Sequence, residues 1–287
     1  MPITGAARLA GIMGWPIAHS RSPALHGYWL AENRIDGAYV PLAVHPDRLE
    51  QALRALPALG FRGCNLTIPH KQTALKVMDR VDAFARRIGA MNTVIVADDG
   101  ALEGSNTDVF GFRENLREQA PDWQPHGGPA VVLGAGGSAR AVIAALGAMG
   151  VGDIRLVNRS VGRAETLAGD LAAPETRITV HSWESRAQAL EGAGIVINTT
   201  SLGMDKEPPL DIDLGVLPLS AVVVDIVYVP LETGLLAAAR QRGHPVVDGL
   251  GMLLHQGRPG FAAWFGVAPE VTRELRQAML ATFTGSH

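Results

Sequence analysis

The sequence predicts an α/β protein of two domains, each built around a mostly parallel sheet. Three observations support this fold class. Short apolar, β-prone runs alternate with amphipathic helical segments along most of the chain. The length of 287 residues corresponds to two domains of about 100–200 residues each. A polar stretch rich in proline and glycine, residues 120–129, separates two such series and is interpreted as a surface loop or linker.

The individual elements follow from this alternation. In the first series we expect strands at residues 9–13, 38–43, 61–66 and 93–96, and helices at 23–33, 46–56, 71–78 and 108–118. In the second series we expect strands at 130–133, 154–158, 179–181, 195–198, 221–226 and 245–247, and helices at 138–149 and 161–171. Two further helices, 252–264 and 269–282, follow the last strand, and residues 285–287 are predicted to be a flexible tail.

Composition narrows the function classes. The formal net charge is only −3, and nucleic-acid or membrane-surface proteins are expected to show a basic excess, so neither class fits. Cys64 is the single cysteine, which excludes an internal disulfide and a four-cysteine zinc site, and we expect no metal site. No stretch reaches the roughly 18 uninterrupted apolar residues of a membrane-spanning helix. The sequence therefore predicts a cytoplasmic protein.

A glycine-rich segment between a predicted strand and a predicted helix indicates a dinucleotide site. Its sequence is Gly134-Ala135-Gly136-Gly137-Ser138-Ala139, a G-x-G-x-x-G/A pattern in the context where it is informative. Gly134 permits the tight turn, Gly136 lets the pyrophosphate approach bare backbone, and Ala139 still allows close packing of helix and strand. The pyrophosphate would rest on the amides at the start of the helix. The alternative is a glycine-rich turn without a ligand.

The end of the next strand favours NADP over NAD. NAD-binding folds place an acidic residue about 20 positions later, where it binds the ribose 2′-hydroxyl. This chain has Asn158, Arg159 and Ser160 there, followed by Arg163. Two arginines on one helical face would bind a 2′-phosphate through charge-assisted hydrogen bonds. The alternatives are a solvated helix charge for Arg163 and a simple helix N-cap for Ser160.

Two serines near the first predicted helix form a candidate carboxylate site. Ser22-Pro23 is a good N-cap and N1 pair, so Ser22 could simply begin a helix. Ser20 and Ser22 together would equally place two hydroxyl groups beside a helix N-terminus, which is a carboxylate receptor. The residues alone leave both interpretations open.

Lys71 is the candidate acid/base residue. Only three of the 25 basic side chains are lysines, so a lysine at a strand end suggests that a titratable amine is required there. Lys71 would also lie in the first turn of the predicted helix 71–78, where the helix dipole disfavours a cation. A surface lysine is the alternative. Two other candidates have ordinary interpretations as well: Asp108 as a helix N-terminal acid and Gln256 as an exposed polar residue.

Taken together, these motifs resemble the shikimate dehydrogenase family over nearly the whole chain. The matching segments occur in the family's order: 16–23, 65–71, 91–93, 106–108, 134–138, 158–159, 198–204, Tyr228 and 249–256. The resemblance implies a substrate-binding catalytic domain at residues 1–107 and 249–287 and a Rossmann-type, doubly wound NADP domain at 108–248, with the cleft between them. It also implies that the C-terminal helices return to the first domain.

The resemblance further implies NADPH-dependent reduction of 3-dehydroshikimate to shikimate, a step in the biosynthesis of chorismate and the aromatic amino acids. Lys71 would be the acid/base residue and Asp108 its partner. The implied substrate ligands are Ser20, Ser22 and Tyr228 for the carboxylate and Asn65, Thr67, Asn92, Asp108 and Gln256 for the ring hydroxyls. The implied cofactor residues are Gly134, Ala135, Gly136, Gly137, Ser138, Asn158, Arg159, Ser160 and Arg163, with Ile226 and Gly249 near the nicotinamide.

Several departures and alternatives accompany this assignment. Ser138, Ala139, Val229 and Gly257 stand where the family more often has other residues, which bears mainly on cofactor preference. A quinate/shikimate dehydrogenase of broader substrate or NAD use is one alternative. A non-catalytic sensor of shikimate-like ligands is another, since fold does not imply function. We expect a monomer or homodimer. We expect it to bind a small-molecule substrate.

Overall fold

The computed structural model describes residues 3–284, and the chain divides into two compact units. Unit 1 comprises the residues up to Thr107 together with those from Leu253 onward, and unit 2 comprises Asp108–Met252. The chain returns from unit 2 to unit 1 at Leu253, four residues beyond the predicted boundary at residue 249. This boundary falls inside a continuous helix, which no break in the sequence pattern marks. The predicted tail at residues 285–287 lies outside the described part of the chain.

Unit 1 contains a mostly parallel sheet with the strand order β2-β1-β3-β5-β6-β4. Its strands are β1 (Arg8–Gly14), β2 (Gly37–Ala43), β3 (Phe61–Leu66), β4 (Arg80–Val81), β5 (Thr93–Val96) and β6 (Leu102–Ser105). β1 pairs in parallel with β2 and β3, whereas β5 runs antiparallel to β3 and β6. β5 and β6 form a hairpin whose turn is closed by Gly100 at φ +81°, a value that favours glycine.

Three helices accompany the N-terminal part of this sheet: α1 (Ser22–Glu32), α2 (Leu49–Ala55) and α3 (Ala83–Ile88). α2 follows a short 3-10 helix, Pro46–Arg48. α3 begins at the Asp82 N-cap, whose side chain accepts from the backbone N–H of Ala85, and ends at Gly89 in the left-handed conformation. The leucines of α2 pack with Met13 and Cys64 in one buried cluster.

Unit 2 has an all-parallel sheet with the strand order β12-β11-β10-β7-β8-β9. Its strands are β7 (Ala130–Leu133), β8 (Asp153–Asn158), β9 (Arg177–Ser182), β10 (Ile195–Asn198), β11 (Val222–Asp225) and β12 (Val246–Val247). Its helices are α4 (Asp108–Gln119), α5 (Gly137–Ala148), α6 (Val161–Asp170), α7 (Arg186–Ala189) and α8 (Gly234–Gln241). β7, β10 and β11 are buried along their whole length, and hydrophobic clusters cover both sheet faces, as in a doubly wound fold.

The two C-terminal helices are α9 (Leu250–Phe265) and α10 (Arg273–Thr284), and most of both belongs to unit 1. The indole Nε1 of Trp264 donates to the backbone oxygen of Val94 in β5 at 3.0 Å. Phe261 packs edge-on against Trp29 of α1 with ring centroids 5.4 Å apart. The chain therefore returns to the first unit, as the family resemblance implied. None of the described helices combines the length and apolarity needed to cross a membrane.

One predicted helix is wrong, and several short elements were not predicted. Residues 71–78 form a turn and a 3-10 helix, Thr73–Lys76, because the carbonyl of Lys71 accepts the backbone N–H of Met91 at 2.9 Å. That oxygen therefore does not begin an α-helical ladder. The elements that were missed are β4, β6, α3, α7 and α8. The capping residues of α3, Asp82 and Gly89, are visible in the sequence, so this helix could have been predicted. In contrast, β6 (Leu-Glu-Gly-Ser) has low β propensity and depends on pairing with β5.

Candidate functional site

In unit 1, the carboxamide of Asn65 lies in the centre of a polar network at the ends of the strands. Its Nδ2 donates to the backbone oxygen of Asn92 at 3.0 Å and to Oγ1 of Thr93 at 3.1 Å. Its Oδ1 accepts the hydroxyl proton of Tyr39 at 2.6 Å. Both amide hydrogens are therefore used within the protein, which leaves only acceptor capacity on Oδ1.

Asn92 connects this network to α9. Its Oδ1 accepts the backbone N–H of Thr107 at 2.8 Å and the hydroxyl of Thr93 at 3.1 Å. Its Nδ2 donates to Oε1 of Gln256 at 3.4 Å, a residue 164 positions later in the chain. Gln256 is half-buried, so its interpretation as an exposed polar residue is wrong.

Ser22 does not act as a helix cap. α1 begins at Ser22 itself, its N-cap is Arg21, and no side chain caps it. The backbone N–H of Ser22 donates instead to Oγ of Ser20 at 3.3 Å. The N-cap interpretation is therefore wrong, and Ser20 and Ser22 do lie together, both half-buried.

Lys71 lies in the turn that follows β3, and two neighbouring residues of this turn hold it in place. The N–H of Thr67 donates to the carbonyl of Met13 in β1 at 3.0 Å, at the start of this turn. The buried ring of His70 donates from Nε2 to the carbonyl of Val44 at 2.9 Å, and burial lowers the pKa of His70, which keeps the ring neutral. The helix-dipole argument for Lys71 is wrong, because no α-helix begins there.

In unit 2, Asp108 is the first residue of α4 and is buried. It follows Thr107 directly in the sequence, and Thr107 is the residue held by Asn92. Tyr228 is half-buried in the segment after β11.

The glycine-rich segment forms an open helix N-terminus suited to a pyrophosphate. Gly134 has φ +102°, and a Cβ placed on it would lie 2.9 Å from Cγ2 of Thr200. Gly136 is the N-cap of α5 and no side chain caps the helix. A Cβ placed on Gly136 or Gly137 would meet nothing within 4 Å. The first amides of α5 therefore stay available to an anion, and the residues present fit a dinucleotide.

The end of β8 offers positive charge and no acid. Nδ2 of Asn158 donates to the backbone oxygen of Ser160 at 2.8 Å and shapes the turn. Ser160 occupies the N-cap position of α6, yet its hydroxyl makes no capping bond. Arg159 and Arg163 are exposed, and neither forms an ion pair within residues 3–284. These groups fit a 2′-phosphate.

A buried carboxylate organises the end of β11, where Ile226 follows. Asp225 accepts hydrogen bonds from Nδ2 of Asn198 at 3.0 Å, the N–H of Val227 at 3.0 Å and the hydroxyl of Thr233 at 2.7 Å. Burial raises the pKa of Asp225 to about 6, against the lowering effect of these three bonds. A Cβ on Gly249 would lie only 2.3 Å from the backbone oxygen of Ile226, so glycine is needed there.

Sequence reasoning missed some residues that hold the site together. Tyr39 and Asp225 lie outside every segment singled out in the sequence, whereas Thr93, Thr107 and Asn198 lie inside such segments but were given no role. Thr93 and Thr107 adjoin predicted residues, which was a usable signal, whereas nothing local distinguishes Tyr39. Over residues 3–284, no group of three or more His, Cys, Asp or Glu side chains is placed to hold a metal ion.

Two family models match the chain. Residues 12–94 match the shikimate dehydrogenase substrate binding domain, and residues 119–204 match shikimate/quinate 5-dehydrogenase. A relative from Rhodospirillum rubrum, named shikimate dehydrogenase (NADP(+)), is 61 % identical over 97 % of this chain and 99 % of its own. This chain belongs to the shikimate dehydrogenase family.

Solved structures of the shikimate dehydrogenase family and its neighbours have the same fold. Shikimate 5-dehydrogenase from Thermus thermophilus, in complex with NADP(H) and shikimate, matches with a TM-score of 0.82 and 34 % identity over 96 % of this chain and 98 % of that chain. Quinate dehydrogenase from Corynebacterium glutamicum, in complex with NAD, matches with a TM-score of 0.89 and 32 % identity over 96 % and 99 %. The predicted fold class is confirmed.

Proposed function

We propose that this member of the shikimate dehydrogenase family catalyses the reversible, NADPH-dependent reduction of 3-dehydroshikimate to shikimate in chorismate and aromatic amino acid biosynthesis. The observation that carries the proposal is the 61 % identity, over nearly the full length of both chains, to the Rhodospirillum rubrum relative named shikimate dehydrogenase (NADP(+)). The polar network of unit 1 and the open helix N-terminus of unit 2 support it.

The substrate would be held by polar groups of fixed orientation. Ser20 and Ser22, with Tyr228, are proposed to bind the carboxylate. Asn65, Thr67, Asn92, Asp108 and Gln256 are proposed to bind the ring hydroxyl groups. The bonds of Asn65 and Asn92 to their neighbours support this assignment, because a side chain already oriented by the protein loses little entropy on binding.

Lys71 is proposed as the catalytic acid/base, with Asp108 as its partner. During reduction, negative charge develops on the carbonyl oxygen of the substrate, and an ammonium group can stabilise that charge and donate a proton to the oxygen. In the oxidative direction the neutral amine accepts the hydroxyl proton.

Bound NADPH supplies the hydride, and the protein supplies binding and orientation. Gly134, Ala135, Gly136, Gly137 and Ser138 would hold the pyrophosphate against the first turn of α5. Asn158, Arg159, Ser160 and Arg163 would hold the 2′-phosphate, with Ile226 and Gly249 beside the nicotinamide. The exposed charges of Arg159 and Arg163 and the lack of an acid directly after β8 support NADP over NAD.

The deciding experiment follows NADPH absorbance with 3-dehydroshikimate, repeated with NADH and, in the reverse direction, with quinate. We expect reduction of 3-dehydroshikimate with NADPH to exceed that with NADH, and oxidation of shikimate to exceed that of quinate, each by at least tenfold. A preference for quinate or NADH would instead support the alternative suggested by the Corynebacterium glutamicum structure. Ligand binding without NADPH oxidation would indicate a non-catalytic sensor. We propose the cytoplasm as the compartment and a monomer or homodimer as the assembly, which sedimentation would measure.

A further inference from the structure

Tyr39 lies beneath the proposed substrate ligands of unit 1 without being one of them. It is in β2 and only 7 % exposed, and its hydroxyl contacts a proposed ligand on β3. The hydroxyl donates to Oδ1 of Asn65 at 2.6 Å.

The Tyr39 ring is itself held rigidly. It stacks on the buried imidazole of His26, with ring centroids 3.9 Å apart and an interplanar angle of 2°. Burial raises the pKa of Tyr39 well above its usual range, so the hydroxyl stays a proton donor throughout the range in which an enzyme is assayed. A donor fixed in this way can set the direction of an acceptor.

Without the Tyr39 hydroxyl, only the Nδ2 end of the Asn65 carboxamide would be hydrogen-bonded to the protein. Its Nδ2 already donates to the backbone oxygen of Asn92 and to Thr93, and the Tyr39 bond anchors Oδ1. Because both amide hydrogens are committed, Asn65 can offer a ligand only a lone pair of Oδ1, and it would accept a substrate hydroxyl proton. The direction of that lone pair depends on the bond from Tyr39.

We propose that Tyr39 is a positioning residue of this site, which sets the orientation of Asn65 toward a hydroxyl group of the substrate. This inference rests on the proposed function, because it assumes that Asn65 binds shikimate. Tyr39 is not proposed to touch the substrate.

The test is Tyr39→Phe, which removes the hydroxyl and keeps the ring stacked on His26. We expect the KM for shikimate to rise about five- to tenfold, the equivalent of one neutral hydrogen bond, while the KM for NADP and the melting temperature change little. Tyr28→Phe is the matched control, because the Tyr28 hydroxyl makes no hydrogen bond to a described residue. Equal changes in both KM values, or none in either, would overturn the proposal.

A double-mutant cycle with Asn65→Ala separates positioning from packing. If Tyr39 acts through Asn65, the effect of Tyr39→Phe on the KM for shikimate should fall below about threefold in the Asn65→Ala background, where the acceptor of the Tyr39 hydroxyl is gone. An undiminished factor in that background would overturn the proposal. Should Tyr39→Phe not fold, Thr93→Val tests the opposite end of the same carboxamide, with the same selective rise expected in the KM for shikimate and the same overturning result.

The controls also distinguish this inference from the proposed function. Wild-type protein without shikimate turnover would refute the proposed function. Wild-type turnover that Tyr39→Phe leaves unchanged would refute the positioning role alone.

Discussion

At the residue scale, Lys71 differs from the other basic residues by its surroundings. Two hydrogen bonds hold the turn that carries it. The carbonyl of Lys71 accepts the backbone N–H of Met91, and the ring of His70 donates to the carbonyl of Val44. Lys76, in the following 3-10 helix, is exposed. A pinned backbone limits the positions that the Lys71 amine can take, which is what a positioned proton donor requires.

We therefore expect Lys71→Ala to lower kcat by roughly 10²–10⁴, with only a small change in the KM for shikimate, because proton transfer is lost and substrate ligands are retained. Steady-state kinetics in both directions would measure this. Lys76→Ala is the control and should keep wild-type turnover. Turnover of Lys71→Ala at the wild-type level would remove Lys71 from the acid/base role.

Arg159 should decide cofactor choice. Loss of a charge-assisted bond to the 2′-phosphate in Arg159→Ala should raise the KM for NADPH about 10- to 100-fold and leave that for NADH nearly unchanged. Arg177→Ala, which removes another exposed arginine of unit 2, is the control. Equal losses with both cofactors would contradict the role of Arg159.

His26 should make unit 1 sensitive to acid. Burial lowers the pKa of His26 from 6.5 to about 3, so at pH 5 the unfolded chain binds a proton that the folded chain does not. Below pH 6.5 each pH unit should therefore lower the free energy of unfolding by up to about 1.4 kcal/mol. Asp225 acts in the opposite sense, because its pKa is raised to about 6 and the folded chain gains a proton first.

Urea unfolding of wild-type protein and His26→Phe between pH 7 and pH 4 would measure this effect. Phenylalanine preserves an aromatic ring against Tyr39 and cannot be protonated. The variant should become progressively more stable relative to wild type as the pH falls. A stability difference that is the same at every pH would show that His26 does not titrate in this range.

At the element scale, the chain from the end of β12 into the first turn of α9 has two glycines where a side chain would not fit. A Cβ on Gly249 would lie 2.3 Å from the Ile226 oxygen, and one on Gly251 would lie 1.8 Å from Oδ1 of Asn115. Nδ2 of Asn115 also donates to the backbone oxygen of Asp248 at 2.8 Å. The start of α9 is thus positioned against the end of β11 by backbone approach that only glycine permits.

Gly249→Ala should accordingly destabilise the protein by about 1–3 kcal/mol and lower turnover at least tenfold, because Ile226 or the start of α9 must move. Thermal unfolding and NADPH oxidation would measure the two effects. Gly169→Ala in α6 is the matched control: its Cβ would meet nothing within 4 Å, and alanine favours a helix. Wild-type stability and turnover in Gly249→Ala would contradict this account.

The elements also show where sequence patterns succeed. β3, β5, β7 and β10 lie at the predicted positions. β7 and β10 are short, apolar and buried along their whole length, which is the pattern that a local window of sequence detects. The helix predicted at 71–78 was wrong, because a hydrogen bond from Met91, 20 residues later, competes with the local helical ladder. A local pattern carries no information about such a competitor.

At the scale of the whole molecule, unit 1 is discontinuous in sequence, and its C-terminal part completes its core. Trp264 bonds to β5, Phe261 packs on Trp29, and Gln256 accepts from Asn92. Unit 2 is continuous, with its own hydrophobic clusters on both faces of its sheet. The two units should therefore respond differently to loss of the C-terminus.

A chain ending at Met252 should lose shikimate binding and keep NADP binding, because only unit 1 loses part of its core. Calorimetric titration with each ligand would measure this, with the full chain as control. Shikimate binding at full strength by the shortened chain would show that α9 and α10 are dispensable to the site.

The sequence alone was sufficient for the features that depend on neighbouring residues: the alternation of strands and helices, the glycine-rich turn at residues 134–138, and the arginines after β8. Tertiary structure decided the antiparallel β5, the turn at Lys71 and the orientation of Asn65 by Tyr39. The reason is that each of these depends on a hydrogen bond between residues distant in the chain. Such a bond forms only once packing has brought its donor and acceptor together, and it is not encoded in any local pattern.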